Sequence, residues 1–236
     1  MIPLRDDQPT FSTPFINYFL IVLNVLVFAW EVAVGMQSHR ALSGMLIEFG
    51  LVPHHSIAVL TGHSYDSLAT GLLPFFTSMF LHDPTSLLHV GGNMLFLWIF
   101  GDNVEDYLGH FRYLVFYLGT GVAGNVTHVL LNANSNAPSI GASGAIAGVM
   151  GGYFILYPRA RVLTWFPPIF LFHVPAWLML GYWFLVQFLR GSVTAIANVS
   201  QGGGTAFWAH VGGFMAGVLA IQALPQRPHR YRYGTW

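Results

Sequence analysis

Ala209-His210-Val211-Gly212-Gly213-Phe214-Met215-Ala216-Gly217, set against Gly141-Ala142-Ser143-Gly144 far upstream, decides how this chain is read. Both strings belong to apolar, glycine-striped segments with the character of membrane helices. A hydroxyl or imidazole left unpaired in hydrocarbon costs several kcal/mol. Polar groups at such depth are therefore functional candidates first. A lone serine there more often bonds a backbone carbonyl, and a lone histidine is often a packing residue. The pairing of the two carries the argument. Gly144, Gly148 and Gly152 form one small-residue stripe, and Ala209, Gly213 and Gly217 form another. Such stripes let membrane helices approach closely. If the stripes meet, Ser143 becomes a nucleophile and His210 the base that takes its proton, at an ordinary imidazole pKa of about 6.5.

The rest of the composition narrows the class. Of 236 residues, 54% are hydrophobic and 8% are charged, against about 25% charged in a soluble domain. Lipid must therefore cover much of the surface. The net charge is zero and no long basic run exists, which argues against nucleic acid as a partner. No cysteine is present, so disulfides, zinc-thiolate sites and a thiol nucleophile are excluded. All nine cationic side chains are arginine, which removes Ser-Lys dyads and Schiff-base chemistry. Nothing in the sequence calls for a cofactor or a metal.

The hydropathy pattern predicts an all-α polytopic membrane protein with six spans and no second soluble domain. The spans fall at about 16–35, 87–101, 111–132, 141–157, 169–189 and 206–224. The first is too long for a signal-peptide core and right for a span. The second and fourth are short for a bilayer, so they are expected to lie among other helices and to begin below the surface. The connection 36–86, with Leu72-Leu73-Pro74-Phe75-Phe76, reads as an interfacial structure.

Six spans put both termini on one side. That side would hold Arg5, Arg112, Arg159, Arg161, Arg227, Arg230 and Arg232, and the other only Arg40 and Arg190. The bias makes the termini cytoplasmic. His89 and Asn93 then lie just inside the second span, Ser143 at the head of the fourth and His210 just inside the sixth. At about 1.5 Å per residue, all four reach one layer below the outer face. His89 and Asn93 are one helical turn apart and both carry N–H donors. Ser143 sits at a helix N-terminus, where free N–H groups favour negative charge.

These motifs resemble the rhomboid intramembrane serine proteases. Gly141-Ala142-Ser143-Gly144 matches the family's Gly-x-Ser-Gly, and Ala209, His210, Gly213 and Gly217 match its Ala-His-x-x-Gly-x-x-x-Gly. His89-Val90-Gly91-Gly92-Asn93 matches its His-x-x-x-Asn. Gly101-Asp102-Asn103-Val104-Glu105-Asp106 and Tyr157-Pro158-Arg159-Ala160-Arg161 look like prokaryotic members. The resemblance spans roughly residues 75–225. It implies a rhomboid-like bundle in a bacterial inner membrane, acting on transmembrane segments of other proteins near the outer face. It implies Ser143 as nucleophile, His210 as base, and an oxyanion site made by the Ser143 N–H with His89 and Asn93. By the same resemblance, the residue before the cut is small.

The sequence also limits the mechanism. No Asp or Glu follows Asp106, so the last four spans hold no carboxylate and a Ser–His dyad is expected. Paired-aspartate and zinc proteolysis are disfavoured by the same absence and by the lack of His-Glu-x-x-His. Some family members place a Tyr four residues after the serine, where it can stack on the catalytic ring; here that residue is Ala147. Some carry a Trp-Arg pair in the first outer loop, yet no Trp lies between 36 and 86. What orients His210 is left open.

Other polar residues receive smaller roles. Asp102, Glu105 and Asp106 are expected to bond loops and helix ends. Asn24, Asn125, His128 and His173 are expected to make hydrogen bonds between spans. His54, His55, His63 and His82 fit no tight metal site. Gly202-Gly203-Gly204 reads as a lid or a linker above the site, and Asn198-Val199-Ser200 as a glycosylation sequon relevant only in a eukaryote. Two rival functions remain at this level: a catalytically silent rhomboid-like protein that binds transmembrane clients, and a small transporter. The shortage of intramembrane acids beyond Glu31 disfavours an ion relay. The oligomeric state is not legible.

Overall fold

The structure is a computed structural model that describes residues 1–196 and 206–227. Asn198 and the Gly202–204 run lie outside the described residues. Ten helices, α1 to α10, and three strands occur in chain order among the described residues. Strand β1 (Ile2–Arg5) precedes α1 (Phe15–Gln37). Four short helices follow, α2 (His39–Phe49), α3 (Pro53–Leu60), α4 (Leu68–Leu72) and α5 (Pro74–Thr77), with a 3₁₀ turn at Ser78–Phe80. Then come α6 (Leu87–Leu108), α7 (His110–Leu131) and α8 (Ser143–Leu156). Strands β2 (Arg161–Phe166) and β3 (Phe170–Pro175) lead into α9 (Ala176–Ile196), and α10 (Phe207–Ala223) closes the fold.

The protein is mostly helical, and its exterior is apolar. Phe19, Val22, Leu26 and Trp30 on α1 are exposed, as are Phe111, Val115 and Leu130 on α7 and Trp177, Leu185 and Leu189 on α9. In water such a belt would drive association; in lipid it is the matched surface. By length and composition α1 and α7 can cross a membrane, while α8 and α10 are shorter apolar helices.

The shortness of α8 has a packing reason. Every residue from Gly144 to Tyr153 is buried. A helix hydrophobic on all sides belongs in the middle of a bundle, with α6, α7 and α10 packed around it. Its first residue can therefore lie inside the bundle, as expected for the fourth span. Gly213 and Gly217 of α10 face α8 so closely that a Cβ would fall on the carbonyl oxygens of Gly144 and Gly148. The α8 stripe is shared, however. A Cβ on Gly148 would strike Thr120 of α7, and one on Gly152 would press on Phe116 of α7. Gly151, outside that stripe, meets the Phe214 carbonyl of α10.

One end of the bundle is a layer of acids and backbone donors. Glu105 accepts the N–H groups of Ile16 (3.0 Å) and Asn17 (2.7 Å) at the start of α1. Asp106 accepts the Phe11 N–H, and Asp102 accepts the Thr10 hydroxyl. These are the helix-end roles the sequence led us to expect. Nearby, Asp7 accepts the Arg161 N–H at 2.9 Å, which holds its carboxyl below the usual range. Asp6 bonds the Tyr153 hydroxyl, and burial pushes its carboxyl up. The N-terminal segment, the α6–α7 turn, the α8–α9 connection and Arg227, which donates its N–H to Tyr107 O, all meet here. Both described chain ends thus share one end of the bundle.

Three expectations need correction. The second span was expected to be short and to end at Gly101, but α6 is 22 residues long and runs to Leu108. The all-α reading missed a three-stranded antiparallel sheet ordered β1-β2-β3. The fifth helix was expected at 169–189, but residues 170–175 are β3 and α9 starts at Ala176. The stretch Arg161–Phe166 and Phe170–Pro175 is rich in aromatic and β-branched residues around Pro167-Pro168, which suits a hairpin. Hydropathy counts such strands as span. His173 is accordingly an exposed strand residue and makes no bond between spans.

The connection 36–86 folds onto the bundle as a set of short helices, as its apolar content led us to expect. Leu51 and Ser139 exchange backbone bonds of 3.0 and 2.8 Å, and Thr77 donates its hydroxyl to Phe49 O at 2.6 Å. Asn125 of α7 donates to Phe75 O and to the Ser78 hydroxyl. Asn24 donates to Leu20 O on its own helix and also meets the Tyr117 hydroxyl of α7, while His128 meets the amide of Asn132, the residue that ends α7.

Gly213→Val and Gly217→Val are expected to destabilise the protein by at least about 1–3 kcal/mol, the usual range for overpacking a tight interface. Gly119→Ala, where a Cβ meets nothing within 4 Å, should leave the thermal midpoint in detergent unchanged. Equal midpoints for all three would contradict the close α8–α10 contact.

Candidate active site

Gly141 admits the chain to the site. Its φ is +131°, a region L side chains avoid. A Cβ there would lie 3.1 Å from His89 Nε2 and 3.4 Å from Ser143 Oγ. Glycine thus serves the backbone and keeps open the space between those two groups. The Gly141 N–H donates to Ser78 O at 2.9 Å, which ties the turn to the first long connection. Ser143 follows as the first residue of α8. The first intrahelical bond runs from Ile146 N–H to Ala142 O, so the Ser143 N–H belongs to the unpaired first turn that a helix presents to an anion.

His210 faces it from the first turn of α10. Its Nε2 lies 2.7 Å from Ser143 Oγ. Its Nδ1 lies 2.9 Å from Oε1 of Gln187 on α9. An amide oxygen can only accept, so Nδ1 carries the ring proton and Nε2 is the acceptor for the serine O–H. The ring is 6% exposed, a base withdrawn from bulk water. Trp183, one turn before Gln187, packs against it with ring centroids 5.6 Å apart and planes 38° apart.

His89 and Asn93 line the same cavity from α6. Ser86 caps that helix by accepting the His89 N–H at 3.3 Å. The Asp83 N–H points at His89 Nδ1 across 3.4 Å, a long contact that still favours a proton on Nε2, the nitrogen facing Gly141. The Asn93 amide donates to His82 Nε2 at 3.1 Å, and its second N–H is left for the cavity. The cavity has a volume of about 680 Å³, and Leu88, Phe96, Ile146 and Met150 supply its apolar wall. No carboxylate touches the Ser143–His210 pair. Among the described residues no group of three or more His, Asp or Glu is placed to hold a metal.

Two residues here went unassigned in the sequence. Gln187 had no signal beyond being an amide inside an apolar run. His82 was left among the loop histidines, yet it is fully buried and pushed down to about 4, first by burial and then by the nearby His89 ring. Its backbone N–H donates to both carboxylate oxygens of Glu31 on α1, at 3.0 Å each. The clue was Glu31: a single acid inside a 19-residue apolar stretch has to have a partner. A connected path thus runs from Glu31 through His82 to Asn93.

A family model, the rhomboid domain, matches residues 69–227, more than half of the chain. The chain belongs to the rhomboid family. Rhomboid protease GluP of Bacillus subtilis is 29% identical over 223 residues, 93% of this chain and 36% of that protein. The mitochondrial rhomboid protein 1 of Saccharomyces cerevisiae is 35% identical over 136 residues, 56% of this chain and 36% of that protein. The human presenilin-associated rhomboid-like protein, also mitochondrial, is 37% identical over 101 residues, 42% of this chain and 26% of that protein. This rhomboid therefore spans about a third or less of the length of these relatives. Family membership makes it a membrane protein of a family that includes serine proteases.

Glu31→Leu would strand the buried His82 N–H, at a cost of about 1–3 kcal/mol. The expected result is a lower thermal midpoint for Glu31→Leu, with Glu31→Gln, which retains an acceptor, falling between it and the parent. A midpoint for Glu31→Leu equal to the parent's would show that this contact carries no stability.

Proposed function

We propose that the protein is an intramembrane serine endopeptidase that cleaves transmembrane segments of other membrane proteins through a Ser143–His210 dyad. The observation that carries the reading is the 2.7 Å approach of His210 Nε2 to Ser143 Oγ within a cavity shared with His89 and Asn93. Ser143 Oγ attacks the peptide carbonyl carbon while its proton passes to His210 Nε2. The carbonyl oxygen becomes an oxyanion, held by the Ser143 N–H, His89 Nε2–H and the Asn93 amide. His210 then gives the proton to the leaving nitrogen, the C–N bond breaks, and the acyl group stays on Ser143. Water, deprotonated by the now neutral His210, adds to the acyl carbon; the bond to Oγ breaks, Oγ takes the proton back from His210, and the second product leaves as a carboxylic acid.

A substrate helix must unwind first, because its carbonyls are committed to its own hydrogen bonds. Substrates with Gly or Pro near the cut, and a small residue before it, suit this requirement. The hydropathy pattern supports six spans, and the arginine bias across them supports cytoplasmic termini and a cut near the outer face. The match to the Bacillus relative over 93% of the chain supports a bacterial cell membrane, while the shorter matches are to mitochondrial proteins.

A fluorophosphonate or isocoumarin probe is expected to label Ser143, by mass spectrometry, in the parent but not in His210→Ala. Cleavage of a purified transmembrane reporter should vanish in Ser143→Ala and in His210→Ala. Cleavage that survives both changes would eliminate the mechanism. Flux of ions or solutes in liposomes, without labelling, would point to a transporter, and client binding without labelling to a silent binder. Asn93→Ala should lower kcat about 10²–10³-fold, the usual loss of one oxyanion donor. Gly141→Ala should abolish labelling, since its Cβ would enter the space between His89 and Ser143.

A further inference from the structure

The proposed dyad needs its base held in one tautomer. If Nε2 carried the ring proton, His210 could not accept from Ser143. In serine proteases a buried carboxylate on Nδ1 enforces this choice. No acid follows Asp106 in this chain, and the groups that bond or act electrostatically on His210 include none of the earlier acids. The aromatic neighbour, Trp183, packs on the ring but offers Nδ1 no acceptor. The other titratable groups around His210 are His89 from α6 and His128 from α7, neither of which meets Nδ1. Ala147 on α8 has no polar side chain. The single described group that meets Nδ1 is Gln187 Oε1, at 2.9 Å from α9.

We propose that Gln187 is the positioning residue of the dyad, its Oε1 holding the Nδ1–H of His210 and so leaving Nε2 free to take the Ser143 proton. The inference rests on the protease reading above. Trp183 and Gln187 are four residues apart, so one face of α9 supplies both a wall and an acceptor to the ring. From Gly181 to Arg190 no α9 residue is fully buried. Trp183 and Phe184 of this half of α9 pack on Phe214 of α10, and the Gln187–His210 bond adds a specific polar link at that level. An amide suits the setting better than a carboxylate. It accepts the same bond without placing a charge among apolar helices. Its dipole still favours the imidazolium formed when Ser143 attacks.

The test uses the full-length protein in liposomes, with a transmembrane reporter for kcat, KM and pH profile, and probe labelling of Ser143 in parallel. Gln187→Leu is expected to lower kcat about tenfold to a hundredfold with KM changed little, less than the ~10⁴ that a wrong tautomer costs a triad. Gln187→Glu restores an acceptor on Nδ1. It should recover kcat to within about tenfold of the parent and move the acidic limb of the kcat/KM profile to higher pH, because a neighbouring carboxylate favours the imidazolium. A residue that merely filled space would give neither the recovery nor the shift. Unchanged kcat in Gln187→Leu, or an unmoved acidic limb in Gln187→Glu, overturns the inference while leaving an active, labelled parent and the protease reading intact. A parent that neither cleaves nor labels overturns both.

Discussion

The whole arrangement depends on how near two backbones can come. A serine side chain is short, and an imidazole is not much longer, so two helices must nearly touch before Oγ and Nε2 can share a proton. With side chains between them, membrane helices sit about 8–10 Å apart. Here Gly213 and Gly217 put α10 directly on the α8 carbonyls at Gly144 and Gly148, and the 2.7 Å contact sits one turn along the same interface. The glycines do no chemistry, but they set the distance over which chemistry is possible. Lipid offers no hydrophobic push between helices, so this packing also supplies much of what holds the pair together.

The burial of α8 follows from the same constraint. A helix that must be approached by α7 on one side and α10 on another can carry little but small and apolar side chains. Gly148 and Gly152 serve α7 while Gly144 and Gly151 serve α10. Being surrounded, α8 need not be long enough to cross a bilayer, and its N-terminus can stop at the level of the cavity. The polar head of that helix is thereby delivered inside the bundle, where its unpaired N–H groups are worth more than they would be at a wet surface.

Much of this was legible beforehand, for identifiable reasons. Ser143, His210, His89 and Asn93 stand out because a polar residue in an apolar run is expensive, and cost is visible in sequence. Arginine asymmetry led to the expectation of a common depth for residues from three separate regions, and those residues line one cavity. Gln187 and His82 were harder because their importance lies in partners across the fold, and a pairing leaves no trace in either residue's own neighbourhood. The β2–β3 hairpin failed for a different reason: hydropathy measures how apolar a stretch is, and Phe170-Leu171-Phe172 is as apolar in a strand as in a helix. Gly141 was read as part of a motif, whereas its φ and the space beside it explain why the motif needs a glycine there.

Seven of the nine acids of this chain fall into two groups separated by the length of the bundle. Asp6, Asp7, Asp102, Glu105 and Asp106 gather where the described ends meet, while Glu31 and Asp83 stand beside the loop that leads to the cavity. Between them the core is mostly apolar, with side chains such as Leu20, Leu97, Phe100, Val149 and Met150 packed around the buried hydroxyls of Tyr113 and Tyr117. The apolar length of the bundle thus stands between the cavity at one end and the layer of acids at the other.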